Sequence, residues 1–499
     1  MHSECTEWTA RSRNRIIFVS ILSILFVFFI YQNMEDPEIL QASPRMINFK
    51  PKPVFSQRIV HLDLKGAPPK PSFYDKLFPL LKEIGITSVL MEYEDMFPYW
   101  GKLSMLKTKN AYDSHTIAHI QNLAHKNSLE IIPLVQTFGH MEFVLKHSEF
   151  SSLREVPEKT DTICPSDENS IQLIHEMLAQ IRQLHPNVSS IHIGADEAWN
   201  IAKDERCFQK LHKIFHNSEE RLKLSHISRV AKYAKDELKF DRVYGWNDMF
   251  SSIDSELLKE YDLGRLLVPV VWGYAPDVTI DGYFPYGMFQ RYSQVFPNIL
   301  FASAFKGANG INETFMDIDR YFSNLFSYHR LFSIFHQELQ NRVSGIVFTG
   351  WQRYFHTAPL CELMPVGMPS LINEALYELD PTSTPSVQRQ RLLNFLKCES
   401  VQPVQPINYH GHVYHPPNEI IFKQCHFLGS DVENLRLLKW KINIDGILTH
   451  ETRLELQSLT EKIKSLLLKD FYEDAVNEWI VQNLNPQTII QKFVPQTIL

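Results

Sequence analysis

From Arg58 onward the chain alternates short apolar runs with stretches whose apolar residues recur every three or four positions. Eight runs have strand length: RIVHLDL (58–64), TSVLMEY (87–93), LEIIPLV (129–135), SSIHIG (189–194), RVYGW (242–246), LLVPVVW (266–272), ILFASAF (299–305) and SGIVFTG (344–350). Val, Ile and Leu run almost unbroken through them, as strands covered on both faces require. Between them, Phe73 to Ile84 puts Phe73, Leu77, Leu80, Leu81 and Ile84 on one helical side. Ser170 to Leu184 repeats the pattern with Ile171, Ile174, Leu178 and Ile181. Strand and helix alternating eight times over roughly 300 residues predicts an α/β fold, a (β/α)8 TIM barrel over 58–370. A doubly wound open sheet is the competing architecture. Beyond Ser370, Leu371 to Pro406 is mixed and Val432 to Asn483 carries Leu, Lys and Glu at helical spacing. Residues 371–499 therefore read as a mainly helical C-terminal extension.

The N-terminal pattern is different. Ile16 to Tyr31 is apolar without a charge or a proline, with Arg11, Arg13 and Arg15 before it and Glu35, Asp36 and Glu38 after it. The run is shorter than the roughly 20 residues of a bilayer core, a length that suits the thinner membranes of the early secretory pathway. Basic residues on the N-terminal flank hold that side in the cytoplasm. The reading is a cytoplasmic tail (1–15), a transmembrane signal anchor (16–31) and a stalk (32–57) with four prolines. It makes a single-pass type II membrane protein of the secretory pathway, placed in the Golgi, with a lumenal catalytic domain. A cleaved signal peptide is the alternative, but no A-x-A-like site follows the run. The triplets Asn187-Val188-Ser189 and Asn312-Glu313-Thr314 agree with a lumenal location.

Composition narrows the partners. A formal net charge of -7, with no long basic run outside the N-terminus, argues against nucleic acid. Six cysteines without a C-x-x-C pair form neither a zinc cluster nor a disulfide-dense scaffold, and Cys398 with Cys425 is the candidate pair by proximity. No metal or cofactor is expected. Aromatics at 12% matter because rings cover the apolar faces of sugars, although most of the 33 Phe are expected in the core.

Nearly every predicted strand ends in polar or aromatic residues: His61 and Asp63; Glu92, Tyr93, Glu94 and Asp95; Gln136 to His140; Asp196 and Glu197. Later strands end in Trp246, Asn247 and Asp248; Trp272, Gly273 and Tyr274; Lys306; and Trp351, Gln352, Arg353 and Tyr354. TIM barrels carry their active sites at the C-terminal ends of the strands, so acids and rings converging on one rim point to a sugar pocket. The octet Ser190 to Glu197 is the most informative, since a strand with a small Gly-Ala pair ends in two adjacent acids. Neighbouring carboxylates in a partly dry pocket repel, so one keeps its proton while the other ionises. Alone, the pair reads equally well as two acids opening a helix; the other seven strand ends decide against that.

HIGADEAW resembles the H-x-G-G-D-E signature of family 20 glycoside hydrolases, with Ala195 in place of the usual Gly. The segments 61–70, 92–99, 133–143, 302–308 and 349–354 look like the hexosaminidase D branch of that family. The resemblance spans roughly Arg58 to Pro369. It implies a β-N-acetylhexosaminidase acting with retention on glycans ending in GalNAc or GlcNAc, in which the substrate's 2-acetamido group attacks C1. It further implies Glu197 as general acid and Asp196 as the holder of the acetamido N–H. Trp246, Trp272 and Trp351 would line the acetamido pocket and Tyr274 would bond its oxygen. His140 resembles the histidine that the family places near the catalytic Asp, with Phe138 where the family has Pro. Asp63, Glu94, Asp248 and Tyr354 join the candidate substrate-binding set, Asp63 and Glu94 through hydroxyls or a neighbouring base. His61 and His192 read as braces behind the site. The N-terminal anchor departs from the soluble, nucleocytoplasmic members of the branch. Two other readings compete: a metal-dependent barrel hydrolase using His61, Asp63, His140, His192 and Asp196, and an inactive carbohydrate-binding barrel.

Overall fold

The computed structural model describes residues 54–311, 317–403, 407–409, 412–414, 420–423, 425–427, 430 and 450–484. The expected tail and anchor, the expected stalk before Val54, the Asn312 triplet and all of 432–449 lie outside the described residues. Among the described residues no helix is long and apolar enough to cross a membrane.

Eight parallel strands close into a barrel in sequence order. They are β1 (Gln57–Asp63), β2 (Ser88–Glu92), β3 (Glu130–Leu134), β4 (Ser190–His192), β5 (Arg242–Trp246), β6 (Val268–Trp272), β7 (Ile299–Lys306) and β8 (Val343–Gly350). Closure is made by β1 against β8, with Ile59 opposite Val347. The open-sheet alternative is thereby set aside. Each strand lies within about two residues of its apolar run at either end, and β4 stops at His192. There the backbone turns out of the ladder, and Gly194, Ala195 and Glu197 all take positive φ.

The principal helices between and after the strands are α1 (Pro71–Glu83), α2 (Ser114–Lys126), α3 (Glu168–Leu184), α4 (Glu219–Lys232), α5 (Ser255–Glu260), α6 (Met288–Ser293), α7 (Ile318–Ile334) and α8 (Met364–Leu379). In α1, Phe73, Leu77 and Leu81 are buried as their spacing predicts. In α3 the same holds for Ile171, Ile174, Leu178 and Ile181, and Asp167 caps the helix by accepting from the Asn169 N–H. Asp113, Ser218, Asp254 and Asp317 cap α2, α4, α5 and α7 in the same way, each contributing about 1 kcal/mol. The apolar interior falls into two layers. One lies between strands and helices; the smaller, inside the barrel, contains Ile59, Leu90, Ile132, Leu134, Val270, Leu300 and Val347. Its upper edge is Trp246, with Trp272 and Trp351 packed on it. The barrel is thus plugged with aliphatic side chains below and roofed by indoles.

The expected boundary at 370 falls inside α8, whose residues are nearly all buried on both sides of that position. It packs on β7, β8 and α7, so it is the eighth barrel helix. The region beyond is less uniformly helical than its spacing suggests. Pro385–Leu396, His450–Leu467 and Glu473–Leu484 are helices, but two short antiparallel strand pairs intervene: Ser400–Pro403 with Ile420–Lys423, and Ile407–Tyr409 with His412–Tyr414. Strands of three or four residues are too short to impose a readable period. A disulfide joins Cys398 to Cys425.

Candidate active site

The C-terminal ends of the strands surround a pocket of about 670 Å³ including its open mouth. Its walls include Asp196, Glu197, His140, Trp246, Trp272, Tyr274, Trp351 and Tyr354. Strand-end position brings them together from β3, β4, β5, β6 and β8. Asp196 is buried at 5% exposure, whereas the Glu197 side chain is 40% exposed toward the mouth. His140 Nε2 lies 3.1 Å from Glu197 Oε2 and 3.4 Å from Asp196 Oδ2, so one imidazole nitrogen touches both acids.

Asp63, Glu94 and Asp248 stand behind the wall. The Asp248 carboxylate accepts from the Glu197 backbone N–H at 2.9 Å and from the Trp272 indole N–H at 3.1 Å. It fixes one acid and one ring at once. Asp63 accepts from the Lys65 and Gln352 backbone N–H groups at 2.9 and 2.8 Å. The Lys65 ammonium lies 3.5 Å from Asp63 and 3.3 Å from Glu94, and His356 meets the other Glu94 oxygen at 2.6 Å. Burial works against the Lys65 charge, but Asp63 and Glu94 push its pKa well above the ordinary value. The strand-end pattern assigns no role to Lys65, Gln136, Gly307, Ala308 or Arg353, yet all of them line the pocket. Lys65 and Arg353 each come two or three residues after a strand, which was the available signal.

Beneath the indoles sits a buried polar chain: His61 Nε2 is 2.8 Å from Glu92, which accepts from Gln136 at 3.1 Å. The Gly194 N–H donates to His192 Nδ1 at 2.9 Å. Among the described residues, the acids and histidines weighed for a metal hydrolase are distributed among these separate contacts and do not face a common point.

Backbone strain concentrates here. Glu94, His140, Ala195 and Glu197 have φ of 45°, 52°, 71° and 49°, and non-glycine residues in that region cluster at functional sites. Close approach explains one glycine: a Cβ on Gly139 would stand 2.0 Å from the Asp196 carbonyl oxygen. The β3 loop therefore rests directly on the backbone of the acid pair. At Ala195 the left-handed conformation costs about 1–2 kcal/mol, part of which glycine would return as unfolded-chain entropy. Ala195→Gly is expected to stabilise the fold by about 0.5–1 kcal/mol, read as a higher denaturant midpoint. An unchanged or lower midpoint would show that the methyl group's packing outweighs its φ.

Electrostatics divide the acids. Burial, with Asp248, Glu92 and Glu197 nearby, raises Asp196 to about 8 against the pull of His140. Burial opposes a charge on His140, but Asp196 and Glu197 raise it to about 10. The His140 hydrogen bond holds Glu197 below its ordinary value. At neutral pH, two protons are thus shared by three groups, on Asp196 and His140. The polar atoms facing the box are also incompletely matched. Asp196 Oδ1, Trp246 Nε1 and Trp351 Nε1 are buried without a partner among the described residues, and the Tyr274 hydroxyl has Thr349 and Trp351 as neighbours without hydrogen-bond geometry.

Comparison with known proteins places this site. Residues 74–266 match the catalytic domain of glycosyl hydrolase family 20. Human (Homo sapiens) hexosaminidase D is 34% identical over 454 residues, 87% of this chain and 92% of its own. Bovine (Bos taurus) hexosaminidase D is 40% identical over 315 residues, 63% of this chain and 89% of its own. Among solved structures, the Flavobacterium johnsoniae chitobiase superposes with a TM-score of 0.50 at 15% identity, over 69% of this chain and 51% of that one, a likeness of fold. Sharing a third of its residues with a hexosaminidase D along nearly that protein's whole length, and carrying its acid pair within the matched catalytic domain, the chain belongs to glycosyl hydrolase family 20, alongside the hexosaminidase D proteins.

Proposed function

We propose that this glycoside hydrolase removes terminal β-linked GalNAc or GlcNAc with retention, the substrate's own acetamido group acting as nucleophile. The observation that carries the reading is the set of buried, partnerless polar atoms in an indole-walled box beside Asp196. An acetamido group supplies their complements: its N–H a donor to Asp196 Oδ1, its carbonyl an acceptor for tyrosine O–H or indole N–H, and its methyl a fit to the rings. In the first step the carbonyl oxygen attacks C1 while Glu197 gives its proton to the leaving oxygen. Asp196 holds the N–H of the resulting oxazolinium and offsets its charge. Water then attacks C1 as Glu197 takes its proton back, which restores the acid. Asp248 keeps Glu197 and Trp272 in place throughout. The paired aryl β-GlcNAc and β-GalNAc substrates test the reading: hydrolysis of either supports it and their ratio gives the preference. Sugar binding without turnover would revive the inactive barrel, and a chelator-sensitive activity the metal hydrolase.

The working arrangement, an anionic Asp196 and a protonated Glu197, has the same proton count. An N–H arriving at Asp196 favours its anion, and His140 touches both oxygens between which the proton must pass. Such a cluster titrates as a unit. Activity expressed as kcat/KM is therefore expected to hold from about pH 5 to 7 and to fall above about 8, where the cluster loses its second proton. Stability follows the same sign. Both folded pKa values lie above the ordinary 3.8 of Asp and 6.5 of His, so stability is lost as pH rises, through 3.8 to about 8 for Asp196 and 6.5 to about 10 for His140. A thermal midpoint that rises between pH 6 and 9 would contradict both assignments.

Arg353 on the pocket wall is held from far along the chain: Glu478 accepts from its Nη2 at 2.6 Å and the His356 carbonyl from its Nη1 at 2.9 Å. Glu478→Ala removes the first of these two holds. We expect KM to rise about tenfold with a smaller change in kcat, partly restored by Glu478→Asp; equal losses in both parameters would argue for general unfolding instead.

The setting we propose is the trimming of glycoprotein glycans in the Golgi lumen, with residues 16–31 as anchor. The uninterrupted apolar run with its basic N-terminal flank supports it, and protease protection of the catalytic domain in sealed microsomes tests it.

A further inference from the structure

Away from the pocket, three fully buried side chains form a compact group: Glu155, Cys164 and Cys207. The two sulfurs are 3.3 Å apart, and Cys207 Sγ lies 3.0 Å from Glu155 Oε2. The other Glu155 oxygen accepts from the backbone N–H groups of Lys203 and Asp204 at 2.7 and 3.0 Å. Cys164 belongs to the long β3–α3 connection, which also carries His140, and Cys207 to the helix Glu205–Lys213 that comes after the acid pair. These connections are already laced. Ile163 N–H donates to Phe138 O, Met141 N–H to Asp161 O, and Asn200 to the Asp161 carboxylate.

We propose that Cys164 and Cys207 are a disulfide-forming pair that ties the His140 connection to the Asp196–Glu197 connection. Two sulfurs on one tetrahedral zinc stand about 3.8 Å apart and a structural zinc takes four ligands; here they are closer, with only one further donor in the group among the described residues. The contact with Cys164 and burial push the Cys207 thiol up, which makes native-state exchange slow, so the bridge forms during folding. The oxidant is a small-molecule or protein disulfide. One cysteine thiolate attacks it and expels a thiolate, giving a mixed disulfide; the other cysteine attacks that sulfur and expels the second. Two electrons pass to the oxidant, and the two cysteine protons end on its departing thiolates, Glu155 being the adjacent acceptor for that of Cys207.

The test is peptide mapping of the full chain, produced through a eukaryotic secretory pathway, denatured and alkylated without reductant. The expected product is a Cys164-peptide joined to a Cys207-peptide and separated by dithiothreitol, with a thermal midpoint several degrees above that of Cys164→Ala/Cys207→Ala. Alkylation of both thiols before reduction would overturn the proposal. So would stoichiometric zinc on the protein whose removal by a chelator exposes both thiols. The mapping needs no variant to fold and no turnover, so its failure leaves the glycosidase reading untouched.

Discussion

Glu197→Gln is expected to lower kcat/KM about 10³-fold on a substrate with a poor leaving group, with the fold unchanged. Glutamine keeps the volume and can still meet His140, but it has no proton to give the glycosidic oxygen and cannot take one from water. The size of the loss should depend on the aglycone. An aryl group that leaves without protonation bypasses the first role and retains only the second, so the deficit on such a substrate should shrink while hydrolysis of the intermediate becomes limiting. That leaving-group dependence is the signature of a general acid. A deficit of the same size for good and poor leaving groups would assign Glu197 to binding, and the acid would have to be sought elsewhere on the rim.

Asp196→Asn should reduce kcat about 10²–10³-fold, the scale for removing one preorganised charge partner of a transition state. An asparagine oxygen can still accept the acetamido N–H, so KM should move far less than kcat. The same change should make the protein more stable at pH 8 and above. Burial already disfavours the Asp196 anion, and an amide removes a charge that the folded state is obliged to accommodate as pH rises. Opposite signs for activity and stability at one residue are what a site selected for chemistry produces. A variant both inactive and destabilised at alkaline pH would mean that Asp196 is a structural anion.

The eight strands were legible because each is covered on both faces, which leaves a continuous apolar run that no solvent-facing alternation interrupts. The rim was legible because a strand's end is a sequence position. Asp196, Glu197, Trp246, Trp272 and Trp351 all stand at or just past the end of an apolar run, so collecting them requires no knowledge of the fold. The features that stayed hidden depend on depth and distance. Nothing local distinguishes Asp248, held behind the wall by two donors, from Tyr354 on it. The boundary at 370 looked natural because apolar periodicity persists through α8 while the strand pattern ends. The raised pKa of Asp196 is a property of burial and of the acids Asp248 and Glu92, set against the pull of His140, 56 positions away by numbering. Cys164 and Cys207 carry no motif at all, since 43 residues separate them.

The helices His450–Leu467 and Glu473–Leu484 and the turn between them meet the first barrel turn. Lys70 N–H donates to the Asp470 carbonyl, Pro69 bridges to Phe471, Arg353 pairs with Glu478, and Leu360 N–H donates to Gln482. These contacts fall on the loops after β1 and β8, the two strands whose pairing closes the cylinder. The seam is therefore sealed by residues that leave the ribosome well after both of its strands. A nascent chain can assemble most of its barrel during synthesis, but the Arg353 wall is fastened only once the segment past 470 has emerged. Synthesis thus sets an order of maturation: barrel scaffold first, the Arg353 side of the pocket later.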